Sequence, residues 1–231
     1  MIDVLYEDNH LLVVNKPAML PTMGVSDDRP SLLAAAKQYI GRKYAKPGNV
    51  YLGIVSRLDA PVTGVVLLAR TSKAAARLAQ QFRERDVEKI YWAMVEGDVQ
   101  PRAGHLTDFL RKDERHRRVH TTGRQTPGAQ LAELEYRALG AGAGEPQLRD
   151  PSAALLEVRP QTGRKHQIRV QLAQAGFPIL GDRKYGGRRP FPRGIALHSR
   201  RLVIEHPVSK MQLEIEAPLP DSWRSLVVGA R

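Results

Sequence analysis

Apolar positions in this chain fall mostly in short runs bounded by turn residues, the pattern of strands buried in a sheet. Val4–Tyr6 and Leu11–Asn15 are two such runs, joined by a hairpin-type turn at Glu7–His10. Lys16-Pro17 ends the second, and Ala18–Asp28 follows as a loop punctuated by Pro21 and Gly24. Further strands are predicted at Tyr51–Val55, Val65–Ala69, Ile90–Val95, His105–Leu110, Val119–Thr122, Ala153–Val158, Ala196–Ile204 and Met211–Glu216. The apolar period lengthens to that of a helix in three places. Ser31–Ile40 reads as a helix with Ser31 as N-cap and Gly41 as its stop. Ser72 caps a second, along which Ala75, Leu78, Ala79 and Phe82 recur at i, i+3, i+4 and i+7. A third, about Arg164–Ala175, is introduced by Thr162-Gly163 and stopped by Gly176. Gln130–Leu139 fits helix or strand, Gly140–Pro151 is a Gly-, Ala- and Pro-rich loop, and Pro218–Val228 closes the chain with a short helix after Asp221. Strands interrupted by three helices, without regular βαβ alternation, predict an α+β fold with a mainly antiparallel sheet.

Composition narrows the setting. The 231 residues show no linker or repeat, so one domain over 1–231 is expected, and 42% hydrophobic residues suffice for an ordinary core. No apolar run approaches the roughly 18 residues that would span a bilayer, so no membrane partner is expected. The opening MIDVLYED lacks the basic and apolar regions of a secretory signal. The absence of cysteine rules out disulfides and thiol nucleophiles and fits a cytoplasmic protein. Thirty-six Lys and Arg against 24 Asp and Glu give a net charge of +12, which favours a polyanionic partner, nucleic acid ahead of an anionic surface. The densest basic tract, RKDERHRR at 111–118, lies between two predicted strands, as in a hairpin reaching over phosphates. His116 and His120 form H-x-x-x-H, a zinc pattern when helical. Two arginines lie between them and Gly123 and Pro127 follow, so no metal site is expected.

Three places carry candidate chemistry. Between Tyr51–Val55 and Val65–Ala69 lies the bend Ser56–Gly64, where Arg57 and Asp59, two apart, point the same way if the chain is extended. Asp59 is there either to shape a turn beside Pro61 or to present a carboxylate. Tyr91 is either a core aromatic or a flat ring for an extruded base. The third predicted helix would begin with Arg164, Lys165 and His166. Cations are the wrong sign at a helix N-terminus, costing up to about 1 kcal/mol each, which an anion bound at that end would offset.

These segments are similar to a known family. Arg57–Gly64, KIYWAMVEG at 89–97, RPQTGRKHQIR at 159–169, GDRKYGG at 181–187 and ALHSRRL at 196–202 resemble, in order and spacing, the RluA-type pseudouridine synthases. VLYEDNHLLVVNKP resembles the start of that family's catalytic domain, and the likeness runs from about Val4 to Pro218. It implies a bent, mixed sheet, with Gln130–Leu139 a strand. It implies Asp59 as the catalytic carboxylate, Arg169 as the arginine that pairs with it, and Tyr91 against the target base with a part in proton removal. Leu197 would pack on the base, and Arg57, Arg164 and His166 would contact the RNA. The implied reaction turns a uridine of structured RNA, ribosomal or transfer, into pseudouridine: uracil leaves C1′, turns, and rejoins through C5. Asp59 would act as nucleophile or by removing a sugar proton. No cofactor or metal is implied, and a monomer without the extra N-terminal RNA-binding module of some relatives is expected. Two departures stand out, Ser56 where the family usually has His, and Val62-Thr63 where it has Thr-Ser. They leave open a catalytically silent RNA-binding protein that keeps the fold. A glycoside or nucleoside hydrolase would need a second facing carboxylate, and only Asp59 has a persuasive setting.

Overall fold

A computed structural model describes residues 2–24, 29–140, 142 and 144–229. Residues 25–28 of the expected Ala18–Asp28 loop, and 141 and 143 of the Gly140–Pro151 loop, lie outside the described residues. The strands are β1 (Asp3–Glu7), β2 (Leu11–Lys16), β3 (Gly53–Ile54), β4 (Thr63–Ala69), β5 (Glu88–Glu96), β6 (Ala103–Asp113), β7 (Arg118–Thr122), β8 (Gln130–Ala138), β9 (Gln147–Leu148), β10 (Ala153–Pro160), β11 (Leu197–Glu205), β12 (Gln212–Glu216) and β13 (Val227–Val228). The helices are α1 (Leu32–Lys43), α2 (Ser72–Glu84), α3 (Gln167–Gln174) and α4 (Asp221–Arg224). The class is α+β, as the sequence predicts. The chain gathers into two compact units, Met1–Lys89 with Ser199–Pro220, and Ile90–His198 with Asp221–Arg231.

In the first unit β2 pairs antiparallel with β1 and β4, β3 joins β4, and β12 pairs with β11. Both faces of this sheet are covered, which is why LLVV and GVVLLA read as continuous apolar runs instead of alternating ones. Leu11, Val13, Val65 and Leu67 pack in one core with Ala74 and Leu78 of α2. The intervening Leu12, Val14, Val66 and Leu68 pack in another with Leu32, Ala36 and Ile40 of α1. Each fully buried Leu or Ile contributes about 2 kcal/mol. Ser31 caps α1 as expected, its Oγ accepting from the Ala34 N–H at 3.2 Å. Gly41 does not end that helix. It runs on to Lys43, and the left-handed residue that follows is Ala45 (φ 45°). Arg42 and Lys43 then sit in the last turn, where cations suit the carbonyl end. The cap of α2 is Thr71, one residue before the expected Ser72, with Oγ1 accepting from Ala74 at 3.1 Å.

In the second unit the strand order is β5-β10-β8-β6-β7, antiparallel at every pairing. Gln130–Ala138 is a strand, burying Ala132, Leu134, Tyr136 and Ala138 on one face. The basic tract is the tip of the β6–β7 hairpin, so His116 lies in its turn and His120 on β7, not on a helix. The third helix is shorter than predicted. It begins at Gln167, with His166 (φ 54°) at the N-cap, so Arg164, Lys165 and His166 precede the first turn instead of forming it. The cause is Gln167, whose buried amide folds back: Oε1 accepts from the Arg164 N–H and Thr162 Oγ1 at 3.0 and 2.7 Å, and Nε2 donates to the Glu133 carbonyl at 2.9 Å. The closing helix α4 inserts Trp223, fully buried, beside the rings of Phe191 and His198.

Candidate active site

In the first unit the bend Ser56–Gly64 is a braced turn. Asp59 is half-buried within it and Arg57 is exposed. The Val62 N–H closes the turn on the Asp59 carbonyl at 3.1 Å. Thr22, itself buried, clamps the preceding residue from both sides: its Oγ1 donates to the Leu58 carbonyl at 2.9 Å and accepts from the Leu58 N–H at 3.1 Å. The Met19 N–H donates to the Ala60 carbonyl at 2.7 Å. Beneath the turn lies Lys16, 0% exposed, whose three N–H groups are matched by three main-chain carbonyls, of Pro17, Leu20 and Ala60 at 2.8, 2.8 and 3.0 Å. Burial pushes the Lys16 ammonium down to about 7, while the nearby Asp59 carboxylate acts the other way. The three carbonyls also favour the ammonium, because the neutral amine has only two protons to donate.

The departures at this turn are structural. Ser56 Oγ accepts from the Leu67 N–H at 2.9 Å, and the Ser56 N–H donates to the Leu67 carbonyl at 3.2 Å, so Ser56 fastens the bend to β4. Val62 is buried. Gly64 has φ +109°, and a Cβ there would clash with the Ser199 carbonyl oxygen and lie 2.7 Å from the Ser199 nitrogen. Gly64→Ala is therefore expected to destabilise the protein by more than about 2 kcal/mol, because left-handed strain and a main-chain clash coincide. Urea unfolding measures this, and a loss below about 0.5 kcal/mol would show that β11 can move aside.

In the second unit Arg169 is the fixed point. It is 5% exposed and Asp182 2%, and the two form a forked pair, Nε to Oδ2 at 2.7 Å and Nη2 to Oδ1 at 2.8 Å. The Tyr185 ring stands 5.0 Å from the Arg169 guanidinium. The Tyr185 hydroxyl accepts from the Val119 N–H at 3.0 Å and lies 2.6 Å from His166 Nδ1. The Tyr185 hydroxyl links the Val119 main chain to the His166 ring. Thus His166 and Arg169 converge on Tyr185. Arg164 is exposed and donates from Nε to the Leu131 carbonyl at 2.9 Å. Tyr91 is half-buried on β5, in register with Val158 of β10. Leu197, at the start of β11, is buried.

Lys16, Thr22, Asp182 and Tyr185 were not singled out from sequence. Lys16 had a legible signal, a lysine closing a strand that opens with four apolar residues, Leu11–Val14. Asp182 and Tyr185 both lie in GDRKYGG, a motif recognisable by likeness but without an assigned role until Arg169 is seen to meet both.

A family model described as RNA pseudouridylate synthase matches residues 10–174. An uncharacterised RNA pseudouridine synthase of Bacillus subtilis is 32% identical, over 97% of this chain and 71% of its own. The tRNA pseudouridine synthase C of Salmonella typhimurium is 32% identical, over 96% of this chain and 87% of its own. Among solved structures, human RNA pseudouridylate synthase domain containing 4 superposes with a TM-score of 0.76 at 26% identity, covering 96% of this chain and 92% of that one.

Proposed function

Because the chain belongs to the RNA pseudouridine synthase family, it isomerises uridine in RNA to pseudouridine, and we propose that Asp59 is the residue on which that reaction turns. The observation that carries this reading is the bracing of its turn: Lys16, Thr22 and Met19 all fasten the main chain at Leu58–Ala60. A carboxylate held this way loses little freedom on meeting the sugar, which is how a positioned group lowers a barrier. The glycosidic C1′–N1 bond must break, the uracil must stay bound while it turns, and a C1′–C5 bond must form before the C5 proton is lost. Asp59 serves the first step, by adding to C1′ or by taking a ribose proton. Arg169 supplies a positive charge to the reaction, and its pairing with Asp182 fixes the guanidinium's orientation. Tyr91 and Leu197 hold the free base, and Tyr91 takes part in removing the C5 proton. Arg57, Arg164 and His166 engage the RNA around the target. The two compact units act together as one catalytic domain, a monomer in the cytoplasm, in keeping with a chain that lacks cysteine. The substrate is structured RNA, transfer or ribosomal, since relatives carry transfer RNA or the large ribosomal subunit in their names. Mapping pseudouridines across cellular RNA with and without this protein tests the reading, and identical maps would refute it.

Binding should be largely electrostatic, given the charge of +12 and the basic hairpin tip. If about six phosphates are engaged, affinity should drop by about three orders of magnitude between 50 and 200 mM salt. Arg117→Glu/Arg118→Glu should weaken binding and flatten that slope, with turnover retained at saturating RNA. A salt-independent dissociation constant in filter binding would contradict this.

A further inference from the structure

Apart from the Asp59 turn, a cavity of about 430 Å³ opens against β7 and α3 in the second unit. Its apolar lining is Val119, Val170 and Ala173. Its charged and titratable lining comes from the β6–β7 hairpin: Asp113, His116, Arg118 and His120. The hairpin groups are built in place. Asp113 accepts from the His116 main-chain N–H at 3.0 Å and from its Nδ1 at 2.7 Å, which leaves Nε2 as the ring's other hydrogen-bonding atom. Arg118 donates to the Lys184 carbonyl, and its guanidinium lies 5.8 Å from the Tyr185 ring. Thr121 and Gln174 add a hydroxyl and an amide, their side-chain oxygens 3.5 Å apart.

The mixture of groups selects a ligand class. A bare phosphate has no use for Val170 and Ala173, and an apolar ligand has none for Arg118 and two histidines. A nucleotide uses both, with a hydroxyl and an amide for the edge of its base. The volume lies within the range of small-ligand pockets, about 300 to 1,000 Å³. We propose that this cavity takes one nucleotide of the substrate RNA other than the uridine being isomerised, its base against Val170 and Ala173 and its phosphate toward Arg118, His116 and His120. The proposal rests on the RNA-modifying reading above and deepens it. Tyr185, which also lines the cavity, faces Arg169 and bonds to His166, so a nucleotide here would touch a residue that braces the candidate active site.

Two measurements test it. Pseudouridine formation is followed on RNA from cells lacking the enzyme, with Ala173→Trp to fill the cavity and with His116→Ala/His120→Ala to strip it. Each should raise KM about tenfold while kcat stays within about twofold, the size of one lost base contact. Variants that fold as wild type and keep its KM would overturn the proposal. The second measurement titrates adenosine 5′-monophosphate, and separately inorganic phosphate, into the wild-type chain while recording histidine imidazole resonances. Saturable shifts of His116 and His120 with the nucleotide, larger than those with phosphate, support the cavity even if Ala173→Trp fails to fold. No shifts, or equal shifts with phosphate alone, overturn it. A wild-type protein that forms no pseudouridine would sink the parent reading, and the titration would still decide the cavity.

Discussion

Asp59→Asn should leave the RNA bound and slow pseudouridine formation at least about 10⁴-fold, because the lost group acts on the transition state and hardly on the ground state. The substitution keeps the shape of the side chain while removing its charge, its nucleophilicity and its basicity. The turn should survive it, since Leu58 and Ala60 are fastened through main-chain atoms to Thr22, Met19 and Lys16. RNA affinity should accordingly change less than about tenfold, roughly 1.4 kcal/mol. A carbodiimide-adduct primer-extension assay on the mapped RNA reads the chemistry, and filter binding reads the affinity. Residual activity above about 1% would mean that another group carries the reaction. One cost is foreseen: with Asn at 59, Lys16 loses the carboxylate that favours its charged form, so the variant's melting temperature should be recorded beside its activity.

Arg169→Met should also abolish activity, for a different reason and with a different signature. Asp182 is 2% exposed and takes two N–H groups of Arg169. Removing the arginine leaves a buried carboxylate without that partner, a change that typically costs about 3 to 5 kcal/mol. For a chain of this size that is a fall in melting temperature of the order of 10 °C. The Tyr185 ring loses one of its two neighbouring guanidiniums at the same time, and with it part of what holds His166 in place. Arg169→Met/Asp182→Leu separates the two roles. Exchanging a buried ion pair for apolar groups of similar volume is often neutral for stability, so the double variant should melt near wild type and remain inactive. If Arg169→Met melts like wild type, the pair contributes nothing to folding. If the double variant regains activity, the positive charge at 169 is not needed for catalysis.

Much of the architecture was legible without coordinates because it depends on local rules. The β1–β2 hairpin, the apolar strands of β2 and β4, the Ser31 cap and the strand–tip–strand form of the basic tract all follow from short-range periodicity and turn chemistry. Gly41 is not the stop, since the helix needs no left-handed residue until Ala45, and Thr71, not Ser72, is the cap. The start of α3 moved from Arg164 to Gln167 because a glutamine amide found partners on β8, at Glu133, a long-range bond no local pattern encodes.

The candidate site divides the same way. Asp59, Tyr91 and Arg169 are proposed from ordered motifs, which fix which residue types occur and at what spacing. Lys16 and Asp182 are not, since a lysine ending a strand and an aspartate after a glycine are ordinary in a sequence. Their significance comes from burial, which turns a common charge into one that must be matched. Fold class, basic character and the motif residues are readable from the chain alone, because propensity and spacing are local. That Asp182 grips Arg169 and that the Ala60 carbonyl joins those of Pro17 and Leu20 on Lys16 emerges with the folded chain, because a buried charge takes its partners from wherever the chain returns.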